Sequence, residues 1–160
     1  MADQAAFGSV DELLADARSR LSRLNPDEAM TAVGDGAMFV DIRPAWQRAA
    51  EGEIPGSLIV ERNHLEWRLH PRSSGRLPRA CAGQRWIVVC SEGYTSSLAA
   101  DALRSLGMPA TDLIGGIRAW LAAGHPIGKG PTRVESVAGQ GVLVEGGDMA
   151  GPGERETRVH

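Results

Sequence analysis

The chain of 160 residues is long enough for one domain with its own core and short for two. A formal charge of -3, from 17 Lys and Arg against 20 Asp and Glu with no dense basic run, leaves no electrostatic footprint for nucleic acid. No apolar stretch approaches the ~18 residues of a membrane span, and the opening "MADQAAFGSV" lacks the basic and apolar regions of a secretory signal, so with two cysteines the expected setting is reducing and cytoplasmic, not a disulfide scaffold.

The predicted elements run as follows. "SVDELLADARSRLSRL" (9–24) carries apolar residues at 10, 13, 14, 17, 21 and 24, a helical stripe, with Ser9 and Glu12 placed for a capping box. "NPDE" restarts a helix, with Asn25 as cap, Pro26 at the first helical position and Glu28 at the third. "AMFVDI" reads as a short buried strand, "PAWQRAAE" as a short helix stopped by Gly52, "IPG" as a turn and "SLIV" as a second strand. Asn63 and Glu66 are spaced to box the start of "HLEWRL", and residues 71 to 83 read as loop. "RWIVVC" is continuous, β-branched and apolar, the mark of a strand covered on both faces. "TSSLAADALRSLG" is an amphipathic helix closed by Gly107, "ATDLI" another strand and "GIRAWLAAG" a last helix. Strands alternating with helices predict an α/β fold, an open parallel sheet with helices on both faces. Trp46, Trp67, Trp86 and Trp120 are expected in its core. The organisation expected is a helical extension over 1–21, one domain over 22–127 and a mobile tail over 128–160. That tail holds eight glycines and two prolines without helical period, and "GVLVEGG" is its one candidate strand.

The chemistry centres on "CSEGYTSS" (90–97). In an open α/β sheet, ligands bind off the carboxyl ends of the strands, and Cys90 sits at such an end. The chain must then turn sharply into a helix, which Gly93 eases. Successive backbone N–H groups in the turn, with the free ones at the helix start, make an anion cradle. A cysteine facing it is held toward its nucleophilic thiolate. The competing reading is an inert cysteine packed at the end of a core strand. The histidines at 64, 70, 125 and 160 show no metal-ligand spacing with each other or with the cysteines. "GDG" (34–36) lacks the spacing of a nucleotide loop.

Four stretches, in order, resemble the rhodanese (sulfurtransferase) family as a single-domain member: "FVDIRP" (39–44), "GEIPGSLIV" (52–60), "CSEGYT" (90–95) and "LIGGIRAWLAAGHPI" (113–127). They match, respectively, its Asp-x-Arg strand, its Gly-x-Ile-Pro-Gly motif, its Cys-x-x-Gly-x-Thr active-site loop and its closing Gly-Gly…Trp…Ala-Gly-x-Pro motif. The resemblance covers roughly residues 22 to 127 and implies a parallel sheet of about five strands. It also implies a reaction in which Cys90 takes the outer sulfur of a donor such as thiosulfate. The persulfide is then held by the amides of Ser91, Glu92, Gly93, Tyr94 and Thr95 until a thiol, cyanide or protein acceptor removes it, with no metal and no cofactor. Related phosphatases use Cys-x5-Arg, because a phosphate-sized oxyanion needs a bidentate guanidinium; here the corresponding residue is Ser96.

The loop departs from thiosulfate-favouring relatives in having no basic residue and one acid, Glu92, which repels a dianion and opposes the thiolate. Arg62 and His64, past the second strand, are the candidates to supply positive charge; otherwise they are surface residues. Asp41 and Arg43 either touch the site or tie a loop to the sheet. Tyr94 either gates the loop, contacts a partner, or is simply exposed. Cys81 either resolves a Cys90 persulfide as a disulfide or is incidental. The alternative to an enzyme is a non-catalytic rhodanese-like module that senses redox state or binds a partner.

Overall fold

A computed structural model describes residues 3–134. Four parallel strands form the sheet: β1 (Met38–Asp41), β2 (Leu58–Ile59), β3 (Trp86–Val89) and β4 (Ala110–Asp112), in the order β2-β1-β3-β4. The expected fifth strand is reduced to one parallel bridge, in which Leu24 pairs with Leu113 beside β4. The reason is local: Pro26 has no N–H to extend a ladder and already opens the next helix.

Among the described residues six α-helices cover the sheet: α1 (Val10–Arg18), α2 (Pro26–Gly34), α3 (Ala45–Glu51), α4 (Leu65–Leu69), α5 (Thr95–Ser105) and α6 (Gly116–Ala122). The Asn25–Glu28 capping box forms in both directions. At α1 the Ser9 hydroxyl accepts from the Glu12 amide, but Glu12 returns to the Gly8 amide and not to Ser9. The helix also ends at Arg18, short of the expected Leu24. Leu21 and Leu24 extend the apolar stripe in sequence, yet they follow the helix and pack against opposite faces of the sheet. The box expected from Asn63 and Glu66 is absent, because a 3-10 turn (Arg62–His64) precedes α4 and makes His64 the cap, with helical backbone angles; Glu66 accepts from Arg62 instead.

β3 lies at the centre and is buried along its whole length, as its unbroken apolar run predicts. The two-residue period sorts its side chains. Ile87 and Val89 join Phe39, Leu113, Ile117 and Trp120 on one face, while Trp86, Val88 and Cys90 join Val40, Leu65, Leu69, Ala99 and Leu103 on the other. Trp86 and Trp120 are core residues, but Trp46 and Trp67 are exposed, which corrects the expectation for both. α4 turns Leu65, Arg68 and Leu69 inward and so puts Trp67 outside. In α3 the inward position is taken by Arg48, the one buried residue of that helix.

Residues 128–132, the start of the glycine-rich stretch, are tied to the domain. Glu53 and Gly128 exchange backbone hydrogen bonds of 3.0 and 2.7 Å. Burial pushes the Glu53 carboxyl up, but the Thr132 hydroxyl and amide, with the Arg48 guanidinium, hold it below its ordinary range. The candidate strand "GVLVEGG" lies outside the described residues. No described helix is long and apolar enough to cross a membrane.

Candidate active site

Cys90 follows the last residue of β3 and is 5% exposed. The chain turns through residues 91–94 and enters α5 at Thr95. At the turn Gly93 has φ +84°, a conformation that side chains resist, and its N–H donates to Cys90 Sγ at 3.2 Å. One backbone donor thus faces the sulfur, beside the start of an 11-residue helix. Ser91, Glu92, Gly93 and Tyr94 form the loop itself, and Tyr94 is exposed.

The loop is fixed from three sides. From below, the start of α6 presses against it: the Ile117 and Arg118 amides donate to the carbonyls of Cys90 and Ser91 at 2.9 and 3.2 Å. This contact explains the glycine at 116; at Gly115, with φ +73°, a Cβ would instead stand 2.6 Å from Ala119 Cβ. A Cβ on Gly116 would stand 2.4 Å from the Cys90 carbonyl oxygen and 2.6 Å from that of Ser91, closer than atoms can approach.

From the β1 side, Asp41 and Arg43 form a buried pair, each 1% exposed. The Arg43 amide, Nε and Nη2 donate to the Asp41 carboxylate at 3.0, 3.0 and 2.7 Å, and Nη2 also donates to the Gly52 carbonyl at 2.7 Å. Burial pushes the Asp41 carboxyl up, against the bonds from Arg43 that pull it down. Of the two roles open in the sequence, the pair fills the tie between β1 and the following turn. It also reaches toward the loop at one remove. Arg43 Nη1 lies 3.7 Å from Glu51, and Glu51 accepts from the Ser91 hydroxyl at 2.5 Å.

From the β4 side, Asp112 is fully buried and accepts from the hydroxyls of Ser96 and Ser97 at 2.7 and 2.8 Å and from Arg23 Nε at 2.8 Å. Arg23 Nη2 donates on to the Gly93 carbonyl at 3.0 Å. Arg18 donates to the same carbonyl at 2.7 Å, bonds Ser97 Oγ at 3.0 Å, and lies 5.8 Å from the centre of the Tyr94 ring. None of Arg18, Arg23, Asp112, Ser97, Glu51 or Arg118 is singled out by sequence reasoning. Ser97 is four positions from Gly93, but Arg18 and Arg23 reach Gly93 across 75 and 70 positions, and Arg23 meets Asp112 across 89, which no local pattern encodes.

The candidate cations past β2 are placed differently. Arg62 pairs with Glu66 at 2.6 Å, and no bond joins it to the loop among the described residues. A cation does reach the loop, from α6: Arg118 pairs with Glu92 at 2.7 Å, at an exposed edge where solvent weakens the pairing. Cys81 is exposed and precedes β3, so the strand's length, about 13 Å at the usual rise, separates it from Cys90. A disulfide needs Cα atoms within about 7 Å, which removes Cys81 as a resolving thiol in this conformation.

Comparison with known proteins places this geometry in a family. No curated protein matches the chain. A protein of unknown function from Rhodopseudomonas palustris, described as a possible tyrosine phosphatase, is similar at 28% identity and a TM-score of 0.69, over 79% of this chain and 99% of that one. A thiosulfate sulfurtransferase from Pseudomonas aeruginosa is similar at 26% identity and a TM-score of 0.56, over 69% of this chain and 20% of that one. A rhodanese-related protein from Thermoplasma volcanium shares the fold at 22% identity and a TM-score of 0.53, over 66% of this chain and 95% of that one. The family model of the rhodanese-like domain matches residues 25–123, most of the chain, and this protein therefore belongs to the rhodanese-like domain family.

Proposed function

We propose that this protein is a sulfurtransferase that carries sulfane sulfur on Cys90. The observation that carries the reading is the Gly93 amide, which donates to Cys90 Sγ at 3.2 Å from within the loop that follows it. In the first step the Cys90 thiolate attacks the outer sulfur of a donor such as thiosulfate. The donor's S–S bond breaks, sulfite leaves with the electron pair, and Cys90 holds a persulfide anion. The amides of residues 91 to 95 stabilise that charge as an oxyanion hole would. In the second step a thiophilic acceptor, whether cyanide, a small thiol or a protein thiol, attacks the terminal sulfur and the Cys90 thiolate is restored. A nucleophile that must stay reduced fits a cytoplasmic setting.

Two features bear on the choice of chemistry. The position six residues after Cys90, where a phosphatase of this fold class would carry arginine, holds Ser96, fully buried and bonded to Asp112. The phosphatase activity suggested for the Rhodopseudomonas protein is therefore not the reading favoured here. The second feature concerns the donor. Glu92 and Glu51 both stand at the loop, each near an arginine, so the rim is close to neutral and welcomes a protein-bound or neutral donor at least as well as a dianion. The burial of Cys90 supports the alternative of a non-catalytic module, and one experiment separates the two readings. The purified protein is incubated with thiosulfate, and separately with an organic persulfide, and its intact mass is measured. Gain of one sulfur atom, absent in Cys90→Ser, is expected from at least one donor; no gain from either, with Cys90 still open to alkylation, favours the module.

A further inference from the structure

We propose that Arg18 and Arg23 are positioning residues of the Cys90 loop, so that the N-terminal segment is a working part of the site. Both precede the residues matched by the family model, which begin at 25. Both donate to one acceptor, the Gly93 carbonyl, at 2.7 and 3.0 Å, and Ser97 Oγ adds a longer contact at 3.4 Å. The carbonyls of Cys90 and Ser91, earlier in the same turn, are met by single α6 amides, whereas this one is held by two guanidinium groups.

The consequence follows from peptide geometry. The carbonyl and the N–H of a trans peptide point in opposite directions. Pinning the Gly93 oxygen toward the arginines turns the Tyr94 N–H the other way, into the cradle. Two charge-assisted bonds on the oxygen also polarise the amide and make that N–H a stronger donor. The charges act together as well: two guanidinium groups against the one carboxylate of Asp112 leave a net positive charge behind the loop. Each arginine is held by something other than the loop. Asp112 grips Arg23 by two bonds, at 2.8 and 3.1 Å, and Ser97 holds Arg18. The loop side chains lack a basic residue, and these two arginines supply the missing cations from a different part of the chain.

This proposal rests on Cys90 being the working thiol, and its test reads that thiol directly and not sulfur transfer. Iodoacetamide alkylation is followed by mass spectrometry at neutral pH in the parent, Arg18→Met and Arg18→Lys, with the distant, exposed Cys81 as internal reference. Losing one cation and one donor at this range is expected to lower the Cys90/Cys81 rate ratio about fivefold in Arg18→Met, with Arg18→Lys in between and thermal midpoints close to the parent's. A ratio unchanged in both variants overturns the proposal. A ratio that rises also overturns it, because mere loosening of α1 would expose the buried Cys90 and speed its alkylation. Should Arg18→Met fail to fold, Arg18→Lys, which keeps the stem and the charge but loses the two-pronged grip on Ser97 and Gly93, decides by the same criterion. A lowered ratio in a protein that never accepts sulfur would leave the clamp standing and sink the sulfurtransferase reading; normal sulfur transfer with an unchanged ratio would do the reverse.

Discussion

The strands on either side of β3 both end in an aspartate paired with an arginine, and the two pairs do opposite things to the loop between them. At the end of β1, Asp41 takes Arg43 from two residues along, and the relay runs on to Glu51, so the loop meets a carboxylate that accepts from Ser91. At the end of β4, Asp112 takes Arg23 from 89 residues away, and the relay ends in a guanidinium that donates to the Gly93 carbonyl. Identical pair chemistry thus offers the loop a negative end on one side and a positive end on the other. The difference lies in which partner is spent. Arg43 bonds Asp41 and, across α3, the Gly52 carbonyl, whereas Arg23 keeps a donor for the loop.

Removing either aspartate is the strongest way to probe this contrast. Asp41→Ala strands the fully buried Arg43 and is expected to cost about 3–5 kcal/mol in urea unfolding; Asp112→Ala strands the partly buried Arg23 with the buried Ser96 and Ser97 hydroxyls and is expected to cost somewhat less. The two should part in their effect on Cys90. Asp112→Ala releases Arg23 and the Ser96 and Ser97 hydroxyls beside the loop and should shift the Cys90/Cys81 alkylation ratio away from the parent value, while Asp41→Ala should leave it near that value. Equal effects on the ratio would mean that the two pairs serve the loop alike. A milder probe is Ser91→Ala, which cuts only the link to Glu51. A hydrogen bond at a half-exposed site contributes about 1 kcal/mol, so stability should fall by that much or less and the alkylation rate should change little. A large fall in the rate would show that the negative side also sets the loop.

The smallest effect concerns how α1 is docked. Arg20 lies between the two clamp arginines and bonds Asp101 of α5 through Nε and Nη2 at 2.7 and 2.8 Å. That pairing holds the Asp101 carboxyl below its ordinary value of 3.8. A depressed carboxylate adds stability that is present above its unfolded value and is lost as the pH falls through the folded one. The parent should therefore lose slightly more stability than Asp101→Asn on going from about pH 5 to about pH 2.5, with no extra loss between neutral pH and 5. Urea midpoints along that series check it, and identical acid slopes would show that the pair does not hold α1 down.

Much of the fold was legible because its signals are short-range. An unbroken apolar run marked β3, Asn25-Pro26 with Glu28 marked the start of α2, and Gly52 and Gly107 marked helix ends. Reading failed where a pattern continued past the structure that used it. The stripe of α1 ran on to Leu24, although the helix stopped at Arg18. Trp46 and Trp67 were expected inside because they lie on helices, while the faces of α3 and α4 that turned inward carried arginine and leucine.

The candidate site divides the same way. The sequence by itself determined the cysteine, its place after a buried strand and the glycine that lets its loop turn, because each follows from neighbours within a few residues. The glycine pair at 115–116 was visible as a motif, but the cause of Gly116, two loop carbonyls where a Cβ would stand, belongs to the packing of α6 on the loop. Only the tertiary structure decided which charges face the loop. Arg18, Arg23 and Asp112 come together across 70 or more positions, and Arg62, which sequence position favoured, is taken by Glu66 one helical turn on. Charge acts through space at a few ångströms, and it is the folding of the chain that sets those distances.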